Sequence, residues 1–239
     1  MTFAAEYDGS EQRFVIALPN NWEPSAEHDV CVALHGHGSD RWQFVNEGRD
    51  ECRGIRDMAL QHDMIFVAPD YRAKTSWMGP AAEADVAQII ALVKRRYRVR
   101  RVFLCGGSMG GSSALTFTAL HPDLIDGTVC LNGTANHVEY GEFQDAIAAS
   151  FGGTKAERPD EYRKRSAEFL ADRFTMPIAI TAGGKDTVVP AASSLRLAER
   201  LKALGRPALV IFREDGGHAT DYDDTKAAFA FVISNAGEK

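Results

Sequence analysis

Little in this chain points toward a membrane, a redox centre or nucleic acid. No apolar run approaches the ~20 residues that a helical membrane span requires. The N-terminal stretch MTFAAEYDGSEQRF is acidic and lacks the basic-then-apolar order of a secretory leader. Cysteine is scarce. The four present, Cys31, Cys52, Cys105 and Cys130, include no C-x-x-C pair, which removes the common zinc and dithiol patterns. Three of them lie inside apolar runs, where a free thiol behaves as a small hydrophobe, and a reducing cytoplasm is the expected setting. A positive excess is missing too: 27 Lys and Arg against 33 Asp and Glu leave a net charge of -6, which argues against phosphate-backbone binding. The one basic cluster, KRRYRVRR at 94–101, reads as a solvated helix end running into a strand. The expectation is therefore a protein that binds neither nucleic acid nor membrane, with its oligomeric state left open.

What is present is a regular alternation. Apolar runs at 13–18, 29–34, 64–69, 101–106, 125–132, 177–183 and 207–212 read as strands. From the second onward most are continuously apolar, as in parallel strands covered on both faces. Helical periodicity lies between them: Val86, Ile89, Ile90, Val93 and Tyr97 on one face, then Leu197, Leu201 and Leu204 before Gly205, then Phe229, Val232, Ile233 and Ala236. Strand–helix–strand repetition predicts a doubly wound, mostly parallel α/β sheet. With no repeat or Pro/Ser-rich linker, a single domain spanning 1–239 is expected. The rhythm breaks between Asn132 and Met176, about forty residues that are long for an uninterrupted loop. Two helix-like stretches there read either as a small cap inserted at about 136–173 or as an elaborated crossover. The dense charge of 157–173 predicts a solvated rim over a pocket.

The stretch VFLCGGSMGGSSALTF places four glycines around one serine, between a strand and a helix. Gly106-Gly107-Ser108-Met109-Gly110 fits G-x-S-x-G. A serine on so sharp a turn leaves no room for side chains two residues before and after it, and glycine removes both collisions. A phosphate-binding loop is the rival reading. The stretch lacks the Lys of a P-loop and a clean G-x-G-x-x-G with its ribose-binding acid. Two later loops complete a pattern. GKDTVVP puts Asp186 just past a strand end, and REDGGHAT puts His218 in a glycine-rich loop before the last helix. Ser108 needs a base to take its proton, His218 can serve, and Asp186 can orient the resulting imidazolium. Asp215 and Asp221 lie closer to His218 in sequence and remain alternatives for the acid. The loop LHGHGSD follows the second predicted strand. Its glycines admit a close backbone approach, so the N–H groups of His37 and Met109 are the expected oxyanion donors.

Together these elements resemble the α/β-hydrolase superfamily over nearly the whole chain. The second half, with GGSMGG, PDEYRKRSAEFLADRFTMPIAITAGGKDTVVP and FREDGGHAT, resembles the catalytic domain of prolyl-oligopeptidase-type serine peptidases and the small esterases related to them. The resemblance implies an α/β-hydrolase fold, a catalytic triad of Ser108, Asp186 and His218, and an H-G-x-G loop at His35-Gly36-His37-Gly38. It implies no cofactor and no metal. His35, Trp77 and Gly107 are the expected substrate-binding residues, with Trp77 equally readable as a packing anchor. The length leaves no room for an N-terminal propeller. The expected activity is therefore a carboxylesterase acting on a small-molecule, short-acyl ester. A peptidase or acylaminoacyl hydrolase is the second reading, and a non-catalytic ligand-binding protein the rival from another class.

Overall fold

The computed structural model describes residues 1–237. Its strands are β1 (Thr2–Ala4), β2 (Glu11–Ala17), β3 (His28–Leu34), β4 (Ile65–Pro69), β5 (Val99–Gly107), β6 (Gly127–Leu131), β7 (Ile178–Gly183) and β8 (Ala208–Arg213). Its helices are α1 (Gln43–Asn46), α2 (Asp50–Gln61), α3 (Pro80–Arg96), α4 (Met109–Leu120), α5 (Gln144–Phe151), α6 (Pro159–Lys164), α7 (Ala192–Ala203) and α8 (Tyr222–Asn235). The strands form one sheet in the order β1-β2-β4-β3-β5-β6-β7-β8. β2 pairs antiparallel with β1 and β4, and every pairing from β4 across to β8 is parallel.

Alternation along the central strands explains their continuous apolarity. Val30, Val32 and Leu34 of β3, with Val102 and Leu104 of β5, pack under Val86, Ile89, Ile90 and Val93 of α3 and Phe117 of α4. The intervening Cys31, Ala33, Phe103 and Cys105 face the other way, onto Cys52 and Ile55 of α2 and Phe229 and Val232 of α8. Each Val, Leu, Ile or Phe among these stabilises the fold by roughly 1.5–3 kcal/mol when fully buried. The basic cluster behaves as predicted: Lys94, Arg95 and Arg96 close α3, and β5 begins at Val99. One expected core residue does not hold. Leu204 is 49% exposed, because α7 stops at Ala203 and Gly205 turns the chain with φ 68°.

The segment between β6 and β7 contains α5, α6 and a 3-10 stretch, Ala167–Arg173. Most of its charges are solvated, as at Glu157, Asp160, Lys164 and Arg173, but Arg165 and Glu168 turn inward. The Arg165 side chain is fully buried and donates to Glu83 at 2.7 Å, Glu161 at 2.5 Å and the Met78 carbonyl at 2.6 Å. Glu168 is buried against Arg196 at 2.7 Å and accepts from Asn136 at 2.9 Å. These pairs tie the segment to α3 and α7. Pairing and hydrogen bonding are what allow such charges to sit inside.

His137 is also buried here, edge-on to Trp77 (centroids 6.1 Å) and Phe151 (5.3 Å). Neither ring nitrogen has a hydrogen-bond partner among the described residues. Burial, with repulsion from Arg165 and Lys155, pushes its pKa down to about 3. The unfolded chain, with a histidine pKa of ~6.5, takes up this proton first as pH falls. The stability carried by neutral His137 is therefore complete above pH ~6.5 and is lost progressively toward pH ~3. Between pH 7 and 5 the unfolding free energy, read from urea titrations, is expected to fall by about 2 kcal/mol through this residue. That component should vanish in His137→Leu; an equal fall in both proteins would contradict it.

Candidate active site

Ser108 sits between the end of β5 and the start of α4 with φ 57° and ψ -121°, a conformation costly for any residue with a side chain. The surrounding backbone fixes it: its N–H donates to Leu131 O at 2.8 Å and its carbonyl accepts from Ser112 N at 3.0 Å. The flanking glycines are required by contact. A Cβ on Gly106 would lie 2.3 Å from Gly110 O, and one on Gly110 would lie 2.0 Å from Leu34 O. The elbow predicted from G-x-S-x-G is thus a place where three stretches of backbone meet.

His218 Nε2 lies 2.8 Å from Ser108 Oγ, and its Nδ1 lies 2.7 Å from Asp186 Oδ2. The second Asp186 oxygen accepts the N–H groups of Val188 at 2.9 Å and Val189 at 2.8 Å. With its side chain 1% exposed, the carboxylate is held in one orientation. Lys185 N–H donates to Gly216 O at 2.8 Å, drawing the loop after β7 to the loop that carries His218. The rival acids are elsewhere. Asp215 pairs with Lys185 and is 88% exposed, and Asp221 caps α8 by accepting from Asp224 N.

The loop after β3 faces the serine. Gln43 holds it, accepting Gly36 N–H at 2.6 Å. Among the described residues neither the His37 nor the Met109 N–H is paired with an acceptor; Met109 is the first residue of α4, where N–H groups have no intrahelical partner. A cavity of about 250 Å³ opens here, with Ser108, Gly107, His37, His218, Phe44 and Phe143 in its wall.

Two expected substrate contacts take other places. His35 is buried with Nδ1 2.8 Å from Gly36 O and Nε2 2.9 Å from Asp70 O. Burial lowers its pKa against the pull of those carbonyls. It braces the loop and does not line the cavity. Trp77 is fully buried and donates Nε1–H to His37 Nδ1 at 3.2 Å. Indole can only donate, so His37 Nδ1 is the acceptor, and burial lowers that histidine's pKa as well. Trp77 is the packing anchor of the two readings; Gly107 does line the cavity.

Sequence reasoning missed Gln43, Phe143 and Asn132. Asn132 has φ 50° at the end of β6. Its Oδ1 accepts from Thr181 at 3.4 Å and from Thr220, and its Nδ2 donates to Gly217 O at 3.4 Å. It therefore ties the His218 loop to two strand ends. The Asn132-Gly133 pair at a strand end was the available signal.

The arrangement can transfer a proton from Ser108 to His218 while the Asp186 carboxylate faces the charge that forms. Fold and site together place the chain in the α/β-hydrolase class. The sequence profile of the prolyl oligopeptidase family matches residues 59–237, and the chain belongs to that family. No curated protein sequence matches it. Among solved structures it is similar to an acylaminoacyl peptidase of Pyrococcus horikoshii, at 15% identity and a TM-score of 0.72, over 98% of this chain and 40% of that one. It is similar also to a fluorophosphonate-binding serine hydrolase of Staphylococcus aureus, at 17% identity and a TM-score of 0.72, over 100% of this chain and 97% of that one. A thermostable esterase matches at 18% identity and a TM-score of 0.70, over 99% of this chain and 62% of that one. The chain thus spans about two fifths of the length of the acylaminoacyl peptidase. At these identities the likeness is one of fold.

The geometry ranks the acids. Asp186→Asn is expected to lower kcat by roughly 10⁴, since the amide favours the wrong histidine tautomer. Asp215→Asn should stay within about threefold of wild type, as expected for a solvated surface pair. Steady-state hydrolysis by both variants checks this, and the reverse ranking would move the acid to the histidine loop.

Proposed function

We propose that this chain is a carboxylesterase acting on small, short-acyl esters through an acyl-enzyme. The observation that carries the reading is the single imidazole bridging Ser108 Oγ at 2.8 Å and Asp186 Oδ2 at 2.7 Å. Ser108 attacks the ester carbonyl as His218 Nε2 takes its proton. The C–O bond then breaks, and the leaving alkoxide receives that proton from His218. Water, deprotonated by the same nitrogen, releases the acid and restores Ser108. The N–H groups of Met109 and His37 stabilise the oxyanion in both halves.

Cavity size supports the substrate class. A dry cavity of about 150 Å³ accommodates benzene, so about 250 Å³ has room for a small ester. A long acyl chain would extend beyond the wall that buries it, and each further methylene would lose its ~0.8 kcal/mol. The second reading, hydrolysis of acylaminoacyl or peptide amides, draws on membership of the prolyl oligopeptidase family and uses the same residues.

A series of p-nitrophenyl esters run beside an acylaminoacyl p-nitroanilide separates the two. Acetyl and butyryl esters should be cleaved best, with kcat/KM falling beyond about eight carbons, and the anilide should be poor. Efficient anilide cleavage would favour the peptidase reading, and a maximum at long chains would contradict the size argument.

A further inference from the structure

The charges around the cavity beside Ser108 balance. Arg49 pairs with Glu47 at 2.7 Å and with Glu51 at 3.5 Å. Arg56 donates to the main-chain carbonyls of Phe44 and Glu47, each at 2.8 Å. Two guanidinium groups therefore stand with two carboxylates, and this corner favours neither sign of charge. What the wall does offer is uncharged polar side chains, Gln43, Asn132 and Thr220. Asn132 and Thr220 are committed to each other and to Thr181 and Gly217. Gln43 has capacity left.

Gln43 opens α1 and is 7% exposed. Chemistry fixes which way its amide faces. The Gly36 N–H can only donate, so the atom 2.6 Å from it is the amide oxygen. The NH₂ end is thereby fixed as well. It has no acceptor among the described residues, and a donor left both enclosed and unpaired is costly. Gln43 borders the cavity and its nitrogen is not an enclosed orphan, so the NH₂ group opens onto that space. The amide is also close to the nucleophile. A Cβ placed on Gly36 would lie 3.6 Å from Gln43 Oε1, 3.8 Å from Gln43 Nε2 and 3.6 Å from the carbonyl oxygen of Gly107, the residue before Ser108. His37 adds a second uncharged donor to the same wall: its Nδ1 accepts from Trp77, so the neutral ring carries its proton on Nε2.

We propose that Gln43 determines specificity: its NH₂ group donates to an uncharged oxygen, of an ether, hydroxyl or ketone, that the substrate carries next to the ester being cleaved. The inference rests on the reading of this cavity as an ester site, and the experiment keeps the two apart. Ser108→Ala protein is titrated by NMR with two matched pairs of esters. Methyl methoxyacetate and methyl butyrate differ by an ether oxygen in place of a methylene on the acyl side, and 2-methoxyethyl acetate and butyl acetate differ in the same way on the alcohol side. In at least one pair the ether should bind about fivefold or more tightly than its hydrocarbon match, and it alone should shift the Gln43 side-chain NH₂ resonances. In Ser108→Ala/Gln43→Met that ratio should fall to one or below. It should fall likewise in Ser108→Ala/Gln43→Glu, whose carboxylate still accepts the Gly36 N–H but has no N–H to give. A residue that only braced the loop would, when replaced, weaken both members of a pair alike and leave the ratio in place. Equal binding within both pairs, a preference that survives either substitution, NH₂ resonances that respond alike to both members of a pair, or no detectable binding of any of the esters would each overturn the inference. Wild-type hydrolysis of the same esters is measured separately. A Gln43-dependent preference without turnover would leave this site standing and remove the esterase reading.

Discussion

At the crossing of three backbones around Ser108, no side chain can be tolerated on Gly106 or Gly110. The end of β5 passes against the first turn of α4, and that turn passes against the end of β3. This contact does two things at once. It forces Ser108 into a conformation with positive φ, which lifts the hydroxyl off the sheet edge. It also brings the loop after β3 against the first turn of α4, so that His37 and Ser108 line one cavity.

The other partners arrive by sheet topology. β6, β7 and β8 lie side by side and parallel, so their C-terminal ends deliver Asn132, Asp186 and the His218 loop to one edge, where sites form in open α/β sheets. Fine placement is then a matter of hydrogen bonds. Val188 and Val189 N–H groups aim Asp186, and Asn132 with Thr181 and Thr220 holds the loop that carries His218. Behind His37, the Trp77 indole fixes the ring from below.

The central strands were legible because burial on both faces leaves continuous apolar runs. Ser108, Asp186 and His218 were legible because each sits at a strand end with glycine nearby, a local signal. β1 was not, since three residues carry no periodicity. Among the insertion's charges only Arg165 and Glu168 misled: they are buried as pairs, and sequence composition cannot distinguish a paired interior charge from a solvated one. His35 misled in a related way, and of the two readings of Trp77 the packing one fits its burial. Both belong to stretches that border the site, yet their side chains turn inward to brace it.

The central claim is that Ser108 is an activated nucleophile poised by His218. Its most direct test is the rate of covalent labelling by a fluorophosphonate, with the modified residue located by mass spectrometry. The account predicts stoichiometric attachment at Ser108, abolished in Ser108→Ala and slowed by orders of magnitude when His218 is replaced by Ala, with circular dichroism unchanged. Labelling of another residue, or of Ser108 at an undiminished rate without His218, would contradict it.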